Sequence, residues 1–267
     1  MLQHTNNPIK INVSSEERLG IHSSSKGVQR KWKYGNLYIK LNSKIGGYEN
    51  CEDIAEVLVS YFLKFTNIDN YVKYEPCRII EDGRDLGIGC YSLNFLSEGE
   101  TNISFSKLFR HRGIKLEKKL QYDDEVILEI SREIGVDLRE YLRKVLYLDS
   151  IISNTDRHLN NLSVIVNSEG KYREAPIYDN GLSCLMNFSE FSLEENLKEA
   201  IESVRPREFF KNYTDMCDCL GNKLIEVRKK DFIMSVKPET KQEIRAFEAI
   251  KRGLDVMEGR TWKDARI

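Results

Sequence analysis

Polar and apolar positions alternate from Asn36 to Leu41, with Leu37, Ile39 and Leu41 on one face and Lys40 on the other, which predicts a strand. After the Gly46-Gly47 turn the period changes. Across residues 49–65, Ile54, Val57, Leu58, Tyr61, Phe62 and Phe65 recur at helical spacing, and Glu52 and Glu56 lie four apart on one side of the predicted helix. Two strand-like runs, 71–80 and 86–95, flank the turn Glu81-Asp82-Gly83-Arg84-Asp85 and would complete a small antiparallel sheet packed on that helix. Leu96-Ser97-Glu98-Gly99-Glu100 breaks the pattern and is expected to be a hinge. From Thr101 the chain turns helical, with helices predicted at 105–110, 125–134 and 138–152, the last carrying an apolar stripe of Leu138, Leu142, Val145, Leu146 and Leu148. Residues 162–166 and 171–173 read as a hairpin about Ser168-Glu169-Gly170. Further helices are expected at 193–204, 216–228 and 238–257, broken by Arg205-Pro206 and Val236-Lys237-Pro238. The serine-rich entry HSSSKGVQRKWKYG, residues 22–35, reads as loop. The expected architecture is α+β and two-lobed: a small mixed lobe over residues 1–95 and a mainly helical lobe over 96–267.

Candidate chemistry concentrates between residues 148 and 181. There Asp156 precedes Asn161 by five residues in N-T-D-R-H-L-N-N, and Asp179 follows in Y-D-N-G. Phosphoryl transfer needs a carboxylate beside the attacking hydroxyl, and an amide and a second carboxylate to hold divalent metal against nucleotide phosphates. A D-x-x-x-x-N loop followed by D-x-G has the spacing of protein-kinase signature sets. In that scheme Asp156 is the catalytic carboxylate and Asn161 and Asp179 are the metal ligands. Lys40 would hold the nucleotide phosphates, with Glu56, deeper in the apolar pattern than Glu52, as its partner. An adenine base would meet the backbone near Asn94, Phe95 and Leu96. Each loop residue taken singly also suits a turn. A capping account leaves unexplained the order lysine, glutamate, aspartate, asparagine, aspartate. His158 follows the aspartate and reads as a packing or hydrogen-bonding residue of the loop, while Arg157 would face an acceptor phosphate or solvent.

Composition narrows the partners. Lys and Arg number 41 against 42 Asp and Glu, a formal charge of -1, so the overall field offers no attraction to nucleic acid or an anionic membrane. The six cysteines contain no C-x-x-C pair, which argues against a zinc site or a disulfide framework. No segment approaches the roughly 18 apolar residues of a membrane span, and the N-terminus lacks a signal-peptide pattern. The expected compartment is the cytoplasm.

These motifs resemble the HipA-like serine/threonine kinases: N-T-D-R-H-L-N-N at 154–161, A-P-I-Y-D-N-G at 175–181, S-S-K-G-V-Q-R-K at 24–31, the I-K-L-N strand at 39–42 and the helix around Glu56. The resemblance runs from about Ser24 into the helices after Asp179. It implies ATP and Mg²⁺ as cofactors, a protein substrate with a Ser/Thr acceptor, and a phosphate-covering loop at Gly27, Val28, Gln29 and Lys31. It assigns Lys40 to the nucleotide, Asp156 to catalysis, and Asn161 and Asp179 to metal. It further implies autophosphorylation in the serine loop, with Ser24 best aligned and Ser23 and Ser25 beside it. Roughly two negative charges, added by one phosphate beside the bound nucleotide phosphates, would expel that loop. The chain departs from ordinary protein kinases in having no G-x-G-x-x-G. Full-length HipA proteins carry an additional N-terminal subdomain, so the expectation is a short, kinase-core version, and an antitoxin-like partner is an expectation of the family alone. D-R-H-x-x-N followed by D-x-G also resembles phosphoinositide kinases. A lipid or small-molecule acceptor, or a non-catalytic nucleotide-binding pseudokinase, is therefore the alternative.

Overall fold

The structure, a computed structural model, describes residues 8–19, 29–45, 47–114, 124–205, 209, 210, 216 and 224–257. In chain order the first elements are β1 (Ile9–Val13), β2 (Lys31–Tyr34), β3 (Leu37–Leu41), the short pair β4 (Lys44–Ile45) and β5 (Tyr48–Glu49), helix α1 (Glu52–Leu63), β6 (Tyr74–Glu81) and β7 (Arg84–Leu93). Five of these strands form one sheet in the order β1-β6-β7-β3-β2. Sequential strands pair through tight turns where the local chemistry allows it. Gly35, at φ 54, opens the two-residue loop between β2 and β3, and Asp82 and Gly83, both at positive φ, make the loop between β6 and β7.

The sheet is mixed, because β1 pairs parallel with β6, whereas a wholly antiparallel sheet was expected. Both β1 and β2 lie in stretches that had no predicted strand. Too few residues alternate in either one, and their strand character comes from neighbours. Glu81 at the end of β6 accepts from Arg18 and from Trp32 Nε1 at 2.9 Å, pinning both the segment after β1 and the edge strand β2. Those bonds hold the Glu81 carboxyl below its usual range, Arg18 being the main cause and Trp32 a further one.

The sheet has two dissimilar faces. Trp32, Ile39, Cys77, Ile79, Ile11 and Val13 form a small cluster on one. Lys40 and Cys90, directly paired across β3 and β7, point from the other toward α1. Helix α1 is packed between β6 and β7 on one side and helix α7 (Lys241–Met257) on the other. That sandwiching explains why Glu52, Asp53 and Glu56 are buried along with Ile54, Leu58 and Phe62. Its first turn is tied to the end of β3 by reciprocal bonds: Asn42 Nδ2 donates to Asp53 at 2.7 Å, the Asp53 amide returns to Asn42 at 3.0 Å, and Ser43 bonds Glu52 through both amide and hydroxyl. The strand bearing Lys40 and the helix bearing Glu56 are thereby fixed in relation to each other.

Beyond Leu93 come β8 (Thr101–Ser104), α2 (Phe105–His111), α3 (Asp124–Ile134), α4 (Leu138–Ile152), β9 (Ser163–Val166), β10 (Tyr172–Glu174), α5 (Leu197–Ser203), α6 (Lys229–Ser235) and α7. Strands β9 and β10 form the predicted hairpin. Strand β8 joins β9 as a third strand, although helix was expected from Thr101 onward. Residues 224–228 are not helical, contrary to the predicted 216–228 helix, and Val227 bridges to Thr66. Helices α4 and α7 cross closely at Gly253, where a Cβ would lie 2.0 Å from the Ile151 carbonyl oxygen. The larger apolar cluster runs continuously from α1 through α2, α3, α4 and α7, so the loop after α4 emerges from a packed base.

Candidate active site

Lys40 lies at the centre of the site. Its Nζ donates to Glu56 Oε1 at 2.6 Å and to Asp179 Oδ1 at 2.7 Å, and sits 4.9 Å from the Tyr74 ring centroid. Burial alone would push the ammonium's pKa down, but Asp179 and Glu56 outweigh it and hold it well above the ordinary lysine value. The second oxygen of Glu56 accepts the Asn180 amide at 3.0 Å, so one buried carboxylate joins the strand lysine to the backbone of Y-D-N-G. Glu56 rather than Glu52 is thus the lysine partner, as its depth in the apolar pattern indicated. Gly181 permits this approach: a Cβ there would meet the Glu52 side chain at 3.0 Å.

Asp179 has φ 60, a left-handed conformation that Asp tolerates better than most residues. Burial would raise its carboxyl pKa, yet Lys31, Lys40 and Arg157 together hold it far below the usual range. Lys31 is paired directly opposite Lys40 across β2 and β3, which is how a residue of the expected phosphate-covering loop comes to act on Asp179. Gln29 is half-buried just before it. Gly27, Val28, Ser23, Ser24 and Ser25 lie outside the described residues.

The loop carrying Asp156 and Asn161 is built on α4. The helix ends at Ser153, in the left-handed region at φ 53, and Asn154 Nδ2 donates back to Asp149 at 2.9 Å while its Oδ1 accepts the Asp156 amide at 2.9 Å. Asn161 Nδ2 donates to the Asp156 carbonyl at 3.1 Å. Asp156 is therefore held through its backbone from both sides. With its amide nitrogen committed inward, Asn161 has its side-chain oxygen left to offer a cation. An ionised carboxylate at Asp179 and an amide oxygen at Asn161 are the hard donors a divalent ion such as Mg²⁺ takes, and the residues present fit that group.

Arg157 departs from its sequence reading. It faces neither phosphate nor solvent, being 3% exposed, and its guanidinium joins three parts of the site. It donates to both oxygens of Asp149 at 2.9 and 3.1 Å, to the Tyr178 carbonyl at 2.9 Å, to the Asn161 carbonyl at 3.3 Å and to Asn180 Oδ1 at 2.7 Å. Sequence reasoning passed over Asp149, Asn154 and Asn180. One signal was available: Asp149 lies a turn beyond Leu142, Val145 and Leu146 on the apolar stripe of α4, where a charge demands a buried partner.

The expected hinge runs beside this centre. Within residues 94–97 the Asn94 amide donates to the Asn36 carbonyl, the Leu96 amide to Asn94 Oδ1 and the Ser97 amide to Glu100. The Phe95 ring stacks on Tyr178 with centroids 5.6 Å apart, linking the hinge to the residue before Asp179.

No protein-family model matches the chain, and no curated protein matches it. Solved structures do. The Helicobacter pylori proinflammatory kinase CtkA aligns with a TM-score of 0.60 over 89% of this chain and 94% of its own, at 12% identity. A chain from the Shewanella oneidensis complex of HipA, HipB and operator DNA aligns with a TM-score of 0.47 over 92% of this chain and 67% of its own, at 11% identity. At such identity the likeness to CtkA speaks for the fold alone: the chain shares the α+β fold of that structure.

Proposed function

We propose that this chain is an ATP-dependent protein kinase that transfers the γ-phosphoryl group to a serine or threonine hydroxyl. The observation that carries the reading is the bridge Asp179–Lys40–Glu56–Asn180 amide, closed at 2.7, 2.6 and 3.0 Å, beside a loop that fixes Asp156 through its backbone. Lys40, held cationic, binds phosphate oxygens. A divalent ion held by Asn161 Oδ1 and Asp179 would supply charge neutralisation of the triphosphate. Asp156 orients the acceptor hydroxyl and accepts its proton as the new O–P bond forms and the bond from the γ-phosphorus to the β,γ-bridging oxygen breaks, releasing ADP. The kinase fold shared with CtkA supports the reading. The family resemblance extends it to Ser24 as an autophosphorylation site and to an antitoxin-like partner.

The test is incubation with γ-labelled ATP and Mg²⁺, comparing the unmodified chain with Asp156→Asn and Asp179→Asn, followed by mass spectrometry of the chain itself. Protein-bound label in the unmodified chain and its loss in both variants is the expected result. Equal labelling in all three refutes the assignment. Label only on lipid or small molecules points to the alternative acceptor, and nucleotide-induced thermal stabilisation without turnover points to a pseudokinase.

A further inference from the structure

We infer that His158 is a positioning residue for Asp156, holding one oxygen of that carboxylate so that the other meets the acceptor hydroxyl. The inference rests on the kinase reading of Asp156 for its purpose, but the contact itself is argued from geometry. His158 closes the tight turn of D-R-H-L-N-N. Its carbonyl accepts the Asn161 amide at 2.8 Å, and its Nδ1 accepts the Asn160 amide at 3.3 Å. An Nδ1 that accepts leaves the proton of the neutral ring on Nε2. That Nε2 is sealed from solvent, with the residue 4% exposed, and among the described residues it has no hydrogen-bond partner. A buried donor left unpaired is costly, and few native structures keep one without a reason. Asp156 Oδ2 lies 3.7 Å from Nε2. This is outside hydrogen-bond range but less than about 1 Å from it, and catalytic hydrogen bonds are often long in the unliganded state and close in the complex.

Asn154 and Asn161 fix the backbone of Asp156 on both sides, and His158 approaches the side chain itself. A donor on Oδ2 fixes the carboxylate's rotation, and misplacement of a reacting group by about 1 Å is enough to cost about 100-fold in rate. A ring that merely packs would be served equally well by any residue of similar shape that keeps the turn.

Two substitutions separate the roles. His158→Asn keeps an acceptor near the Nδ1 position and loses the outer donor, whereas His158→Gln places an amide donor near the Nε2 position. We expect His158→Asn to lower kcat by about 10- to 100-fold with the KM for ATP within twofold, and His158→Gln to recover most of that loss. Equal kcat in His158→Asn and the unmodified chain overturns the inference, as do equal losses in both variants. An independent readout does not need turnover: long-range ¹H–¹⁵N correlation spectra of the histidine rings, recorded with ADP and Mg²⁺, for the unmodified chain and Asp156→Asn. The expected pattern is the Nε2–H tautomer for His158, with its ring signals shifted by Asp156→Asn. An Nδ1–H tautomer, or signals indifferent to Asp156→Asn, overturns the inference. Absence of phosphoryl transfer from the unmodified chain sinks the kinase reading instead, and the spectra still decide the His158–Asp156 contact.

Discussion

Removing the guanidinium of Arg157 should unfold the site from within. Arg157→Met leaves Asp149, 2% exposed, with Asn154 Nδ2 as its remaining side-chain partner, and orphans the carbonyls of Tyr178 and Asn161 together with Asn180 Oδ1. Breaking one side of a buried ion pair typically costs about 3–5 kcal/mol, and an orphaned buried acceptor about 1–3. The terms do not add in full. Burial already pushes the Asp149 carboxyl pKa up, against the pull of Arg157, so without its partner the group can take a proton. We expect a loss of about 4 kcal/mol, or about 10 °C in Tm for a chain of this size. The double variant Asp149→Leu with Arg157→Met removes the charges together and should sit only about 1–3 kcal/mol below the unmodified protein, because a matched apolar pair can replace a buried ion pair at little cost. Urea unfolding of all four proteins closes the cycle, with an expected coupling energy of at least about 2 kcal/mol. The sign of the pH effect is a second check. A carboxyl raised in the folded state binds more protons there than in the unfolded chain, so its contribution grows as pH falls through the interval between the unfolded and folded values, and that growth should be larger in Arg157→Met. A single variant within about 1 kcal/mol of the unmodified protein, or a double variant equal to the sum of the singles, refutes the hub.

Other outcomes follow from individual contacts. Gly253→Ala should destabilise the protein by about 1–3 kcal/mol in denaturant titrations despite alanine's helix propensity, because the added Cβ meets the Ile151 carbonyl at 2.0 Å and backbone on both sides must part. The Glu100 carboxyl is held at about 2, chiefly by Arg173, so its contribution is complete above the ordinary glutamate pKa and disappears as pH falls toward 2; Glu100→Gln should flatten the stability profile between about pH 4.5 and 2. Glu56→Gln should weaken nucleotide-induced thermal stabilisation, since it loses the anion that orients Lys40 and accepts the Asn180 amide; an unchanged shift would separate that bridge from nucleotide binding.

The fold was legible where one periodicity ran long enough to bury a face. Helix α4 has the predicted bounds, and α1 differs from its prediction only at the ends, because Leu142, Val145 and Leu146 or Ile54, Leu58 and Phe62 repeat over several turns. Strands β1 and β8 were not legible, since a stretch of four or five residues becomes a strand only when a neighbour offers an edge: β6 for Ile9–Val13, and β9 for Thr101–Ser104. Strand β2 shows the same limit more sharply. Its lysines and aromatics read as polar loop until Trp32 is buried and bonded to Glu81, 49 residues away.

For the site, residue types at fixed spacing carried the argument as far as Lys40, Glu56, Asp156, Asn161 and Asp179, because each was an exposed-looking polar group in a place where a phosphoryl-transfer centre has a use for it. The structure brings Lys40, Glu56 and Asp179 into contact and sets Asn161 on the Asp156 carbonyl. What the spacing could not express is how the two halves are joined. Glu56 reaches the Asn180 amide across 124 residues, and Arg157 reaches Asn180 across 23, so the same Asn180 is held from α1 through its backbone and from the loop after α4 through its side chain. A shift of α1 therefore moves Asn180, and with it Asp179, against a guanidinium fixed to α4 by Asp149. Asn180, which reads in sequence as a turn former, is the point at which α1 and the loop after α4 are both tied to the residue beside Asp179.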